Sequence, residues 1–153
     1  MAKKGGVVIA LGGNAISKPG LRGTIQEQYY STLESMEHVA ELIINGFARI
    51  LITHGNGPQV GAAILRSEIA SKAVYPLPMD INVADTQGGM GYMIQQVLGN
   101  CLRKRGIKLP VVTAVSQVQG DVHDPAFENP TKPVGMFYNE HEAKELMAGR
   151  GWT

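Results

Sequence analysis

Residues 7–16 read VVIALGGNAI and residues 49–61 read RILITHGNGPQVG. Each is an apolar run rich in β-branched residues that breaks into glycine and asparagine before a helix-like stretch. That is where a parallel α/β sheet presents backbone N–H groups to an anion. GVVIAL at 6–11 is continuous enough to predict a strand buried on both faces, and ARILIT at 48–53 predicts a second strand. Two such loops close together suit the two sides of one phosphoryl transfer.

Between the two strands the period changes to three and four. Ile25, Tyr29, Leu33, Met36, Ala40, Ile43 and Phe47 mark an amphipathic helix. Thr24 is its expected N-cap with Glu27 at the capping-box position, and Gly46 its expected end. Pro58 suits the first turn of a second helix, running to about Lys72. Two prolines in VYPLPMDIN at 74–82 predict a loop, followed by a third helix over about 84–105. GGMG at 88–91 weakens its early part, because a mid-helix glycine costs ~1 kcal/mol relative to alanine. LPVVTAVSQV at 109–118 predicts a third strand. A Pro/Gly/Asp-rich excursion over about 119–139 and a short charged helix near 140–148 complete the chain. Strands alternating with helices imply parallel pairing.

Composition narrows the function. The chain has 153 residues, 44% of them hydrophobic, and a net charge of +1. That balance gives no field suited to a polyanion, so nucleic acid and anionic membrane surfaces are poor candidates as partners. No apolar run approaches the ~20 residues of a membrane span. VVIAL is shorter than the ~7–15-residue apolar core of a signal peptide. Cys101 is the only cysteine, so no internal disulfide can form. Together these features predict a cytoplasmic protein. The His/Cys spacing matches no metal site.

Chemistry concentrates in three places. Gly12, Gly13 and Asn14 read as a backbone cradle for phosphate oxygens, with glycine permitting close approach and Asn14 adding a donor. A tight turn needing glycine for sterics alone is the competing reading. Gly55, Asn56 and Gly57 repeat the arrangement after the second strand, with His54 at the strand end. Neither loop matches GxxxxGK[ST] or GxGxxG. NPTKPVG at 129–135 places Lys132 between two prolines, where stiffness lowers the entropy lost in aiming a lysine at an anion. A solvated surface lysine is the alternative. Gln87, in Thr86-Gln87-Gly88, is expected to face the same crevice. Asp121 and Asp124 read as turn formers rather than an acid/base pair. Met36, Met90 and Met93 read as core residues.

VVIALGGNAI, THGNGPQVG, TQGGMGYMIQQ (86–96) and DPAFENPTKPVGMFY (124–138) occur in the order and spacing of carbamate kinases, and the chain resembles that family over essentially its whole length. NPTKP after a GNGPQVG loop is specific to that branch of the amino acid kinase superfamily. The resemblance implies a three-layer α/β/α sandwich with a mainly parallel sheet. It implies reversible phosphoryl transfer between ATP and carbamate, running from carbamoyl phosphate and MgADP to ATP in arginine catabolism. Gly12, Gly13, Asn14, Gly55, Asn56 and Gly57 would surround carbamate and the phosphoryl group, and Lys132 would be the catalytic lysine. His54 and Gln87 would stand behind them, with no protein-bound metal. Ala10 occupies the position at which many superfamily relatives carry a lysine.

By the same resemblance, residues 1–153 match the N-terminal, acceptor-binding half, and 119–139 the protruding subdomain. A C-terminal half with the nucleotide site is absent, and the isolated chain is expected to show negligible turnover. A homodimer and a complementing C-terminal half are the implied partners. Asp85 departs from the uncharged residue expected there. Two further readings stay open: a non-catalytic oxyanion-binding or dimerisation module, and a kinase for another small acid.

Overall fold

The computed structural model describes residues 5–150 apart from 19, 48, 132–134 and 136–137, and without the side chains of 14, 149 and 150. Two parallel strands, β1 (Val7–Leu11) and β2 (Ile50–His54), pair in register from Val7 opposite Ile50 to Leu11 opposite His54. Four helices accompany them: α1 (Ile25–Ile44), α2 (Gly57–Ala70), α3 (Met79–Lys104) and α4 (Glu140–Arg150). Helices and a parallel sheet make the expected α/β class.

Residues of α1 and α3 meet over the inner face of the sheet, and α2 packs against α3. Met36, Val39 and Ala40 of α1 bury against Ile94, Val97, Leu98, Cys101 and Leu102 of α3, with Ile9, Leu11, Ile50 and Ile52 beneath them. The anticipated capping box forms. Thr24 Oγ1 accepts from the Glu27 N–H, while Glu27 Oε2 accepts from the Thr24 N–H. Those hydrogen bonds hold the Glu27 carboxyl below the usual carboxylate range. Gly46 follows the last turn of α1 at φ +97°, a conformation that favours glycine. Met36 and Met90 are buried in the core, as read from the sequence.

At the far end of α3, Arg105 ion-pairs with Glu37 of α1 and donates to the Cys101 carbonyl at 3.1 Å. The Arg105 guanidinium, and after it the Cys101 thiol, hold the Glu37 carboxyl below its ordinary value. Burial, reinforced by Glu37, pushes the Cys101 thiol up, so this cysteine is an inert core residue.

Four expectations need correction. Residues 109–118 form no strand: the segment runs over α3, with Ile107 and Val111 against the core and every residue from 112 to 131 exposed. Its valines pair with neither strand of the sheet, and its anchors are polar. Thr113 Oγ1 donates to Gln95 Oε1 at 3.0 Å, and the Ser116 N–H to Gln87 Oε1 at 2.8 Å. Second, β1 is buried on one face only. Val8 and its partner Leu51 are 66% and 59% exposed, because among the described residues the helices of the core lie on the opposite face. Third, Ile25 is exposed, and the buried stripe of α1 starts instead with Gln28, Ser31 and Thr32. Fourth, α3 starts five residues early. Pro78 is its N-cap, and Asn82 Nδ2 donates back to the Leu77 and Pro78 carbonyls. The helix continues through GGMG because Met90 and Gly91 are buried; a Cβ on Gly91 would lie 2.1 Å from Thr113 Cγ2.

Candidate functional site

Parallel pairing brings the two glycine loops to the same end of the sheet. Leu11 is opposite His54, so Gly12 and Gly55 leave the two strands side by side. The first loop closes at once into a 3-10 turn, Gly13–Ala15. Ala15 N–H donates to the Gly12 carbonyl at 3.0 Å, and Ser17 N–H to the Gly13 carbonyl at 2.7 Å. Ser35 Oγ of α1 lies 3.3 Å from the Ala15 carbonyl. The second loop opens directly into α2, with Asn56 as N-cap residue and the Val60 N–H bonded to its carbonyl.

The glycines of these loops serve no internal need. None of Gly12, Gly13, Gly55 and Gly57 has positive φ. A Cβ built on any of them would meet nothing within 4 Å. Neither backbone strain nor packing within the described residues therefore demands glycine, which weakens the steric explanation of both loops. Open space beside exposed backbone at a helix N-terminus is what an oxyanion would fill.

The polar side chains are less free than the glycines. Asn56 Nδ2 donates to Thr86 Oγ1 at 2.9 Å and lies 3.3 Å from the Val83 carbonyl, so both its amide protons are spent on α3. Only its backbone N–H and its Oδ1 remain for a ligand. His54 Nδ1 sits 3.2 Å from the Gly55 carbonyl. Gln87, expected in the crevice, is engaged through both amide atoms with the backbone of Ser116. Asn14 lies within the 3-10 turn, but its side chain is outside the description. Asp85 is exposed. Asp121 and Asp124 accept from the N–H groups of His123 and Ala126, the turn-forming roles read from the sequence.

Lys132 lies outside the described residues. Its neighbour Gly135 does not, and it touches Gly61, the last residue of THGNGPQVG: a Cβ on Gly61 would stand 2.1 Å from Gly135 Cα. Gly135 thus lies against the helix that the second loop begins. Sequence reasoning missed this contact, although a glycine at the end of each motif was a visible signal. It also missed Gln59, Gln28 and Ser17, whose side chains join the two loops. Among the described residues no group of three His, Cys, Asp or Glu is placed to hold a metal, and no helix is long and apolar enough to cross a membrane.

Parallel strands ending in two glycine loops, with helices on the sheet, define an α/β protein of the amino acid kinase type. The carbamate kinase of Thermococcus kodakarensis is 51% identical over 150 residues, covering 96% of this chain, and that of Trichomonas vaginalis is 42% identical over 148 residues, also 96%. The crystal structure of carbamate kinase from Giardia lamblia bound to citric acid superposes with a TM-score of 0.87 at 39% identity over 97% of the chain. The same enzyme bound to AMP-PNP gives 0.81 at 38% identity over 99%. By sequence and by fold the chain belongs to the carbamate kinase family. It spans about half the length of these relatives, 47% of each. No protein-family model matches it.

Proposed function

We propose that this chain forms the phosphoryl-acceptor side of a carbamate kinase site, which interconverts carbamoyl phosphate plus ADP with carbamate plus ATP. The observation that carries this reading is the pair of adjacent glycine loops with open space at Gly12, Gly13, Gly55 and Gly57. Carbamate and the transferring phosphoryl group sit between the loops, against the backbone N–H groups of the two turns. Asn14 and Asn56 flank them, and His54 and Gln87 support the surrounding backbone. Phosphoryl transfer asks chiefly for positioning and charge stabilisation. Lys132 supplies the positive charge for the phosphoryl oxygens, carried in by the segment that Gly135 seats on Gly61.

The nucleotide, as MgATP or MgADP, is held by the part of the relatives that this chain does not span. A complementing C-terminal half is therefore one partner, and a second copy of the chain, as a homodimer, the other. A single buried cysteine fits a cytoplasmic enzyme of arginine catabolism.

The test is ATP formation from carbamoyl phosphate and MgADP, by the 153-residue chain alone and mixed with the C-terminal half of a relative. Activity is expected in the mixture only, and lost with Lys132→Ala and with Gly61→Ala. Activity of the chain alone would contradict the assignment of the nucleotide site. Inactivity of the mixture would contradict complementation.

A further inference from the structure

Gln59, in the first turn of α2, donates from Nε2 to Ser17 Oγ at 3.1 Å and to Gln28 Oε1 at 3.0 Å. Ser17 belongs to the turn that closes the first glycine loop, since its N–H reaches the Gly13 carbonyl. Gln28 is a buried residue of α1, and its own Nε2 donates to the Gly23 carbonyl at 2.6 Å. One side chain from the helix that the second loop opens therefore holds both the first loop and the helix behind it.

The direction of this chain of bonds is fixed. A backbone carbonyl can only accept, so the Gln28 atom beside Gly23 is the amide nitrogen and its other atom the oxygen. Gln59 must then present its nitrogen to Gln28, and both its protons are used, one on each loop-anchoring partner. A side chain of similar size without that nitrogen, such as methionine, would leave Ser17 Oγ and Gln28 Oε1 without their donor, and Gln28 could not turn to compensate without leaving the Gly23 carbonyl unpaired.

We infer that Gln59 is a positioning residue that fixes the two glycine loops relative to each other through Ser17 and Gln28. The inference deepens the proposed function but does not depend on it, because the loops are tied in the absence of any ligand. Phosphoryl transfer loses rate steeply when its binding groups are misplaced by about 1 Å, so the spacing of the loops would set affinity for the acceptor.

The experiment is amide hydrogen exchange by NMR on the whole 153-residue chain, followed by titration with carbamoyl phosphate. Gln59→Met, which removes both bonds at similar volume, is expected to speed exchange at Ile16 and Ser17 by tenfold or more, with amides of Val97 and Leu98 in α3 unchanged. Ser17→Ala should reproduce part of that gain, and Ser17→Thr, which keeps the accepting oxygen, should restore wild-type rates. In the titration Gln59→Met should weaken binding by a similar factor. Unchanged exchange at Ile16 and Ser17 in Gln59→Met, or Ser17→Thr behaving like Ser17→Ala, would overturn the inference. Failure of the wild-type chain to bind carbamoyl phosphate would count against the proposed function while leaving the exchange result to decide on Gln59.

Discussion

The segment that ends at Val111 and the one that follows it both contain valine-rich runs, yet only the first closes a core. Met36, Val97, Cys101 and Leu102 are almost completely buried, whereas Val112, Val118, Val122 and Phe127 stand 77–84% exposed. The difference lies in partners rather than in composition. Strand β1 finds β2 across a single helical crossover, and α1 finds α3 over their shared face. The 112–131 stretch pairs with no strand and buries no side chain, and is held at its root on α3 by Gln87, Gln95 and the Gly91–Thr113 contact. Apolar sequence becomes structure only where the chain also supplies a complementary surface.

Substitutions should divide along that line. Leu102→Ala should cost about 2–5 kcal/mol in chemical denaturation, as expected for a truncated core leucine. Gly91→Ala forces a Cβ into Thr113 and should cost about 1–3 kcal/mol, the usual range for overpacking. Adding Thr113→Ala, which removes the clashing methyl, should recover most of that loss; a clash relieved elsewhere would leave the double variant no better than the single one.

Thr24→Ala removes the side-chain half of the capping box of α1, leaving the backbone N–H bond to Glu27, and should cost about 1 kcal/mol. The box also has a pH signature. Glu27 is held below its ordinary value in the folded chain, so the unfolded state takes up the proton first as pH falls. The stabilisation from Glu27 is complete above the unfolded carboxylate range and is lost as pH drops through the folded value. A thermal scan from neutral to acid pH should show a shallower loss in Thr24→Ala than in wild type. At the small end, Val122→Ser in the exposed stretch should change stability by less than about 0.5 kcal/mol. A cost comparable to that of Leu102→Ala would mean that this stretch is packed in solution.

The same contrast explains what could be read from the sequence. β1, α1, β2 and α2 were legible because their signals are local: a β-branched run, a three-four period, Thr24 with Glu27, and Pro58 after a strand. The early start of α3 was hidden because its N-cap is a proline inside the expected loop, with no side-chain cap, and Asn82 holds the entry only by donating to the Leu77 and Pro78 carbonyls. The third strand failed because strand formation depends on pairing with a distant segment, and Thr113 and Ser116 bond to α3 instead, a choice that no local pattern encodes. In the site, the glycine loops were legible as motifs, but the engagement of Asn56 with Thr86 and of Gln87 with Ser116 was not, because each bond joins residues about 30 apart. Gln59 escaped notice for the same reason, despite lying within a quoted motif.

The most direct measurement is a titration of the isotopically labelled 153-residue chain with carbamoyl phosphate, followed through its backbone amide resonances. Saturable shifts centred on Gly12, Gly13, Gly55 and Gly57, and suppressed in Gln59→Met, are the predicted result. No saturable shift at millimolar ligand, or shifts centred away from both loops, would contradict the assignment of this end of the sheet as an oxyanion site.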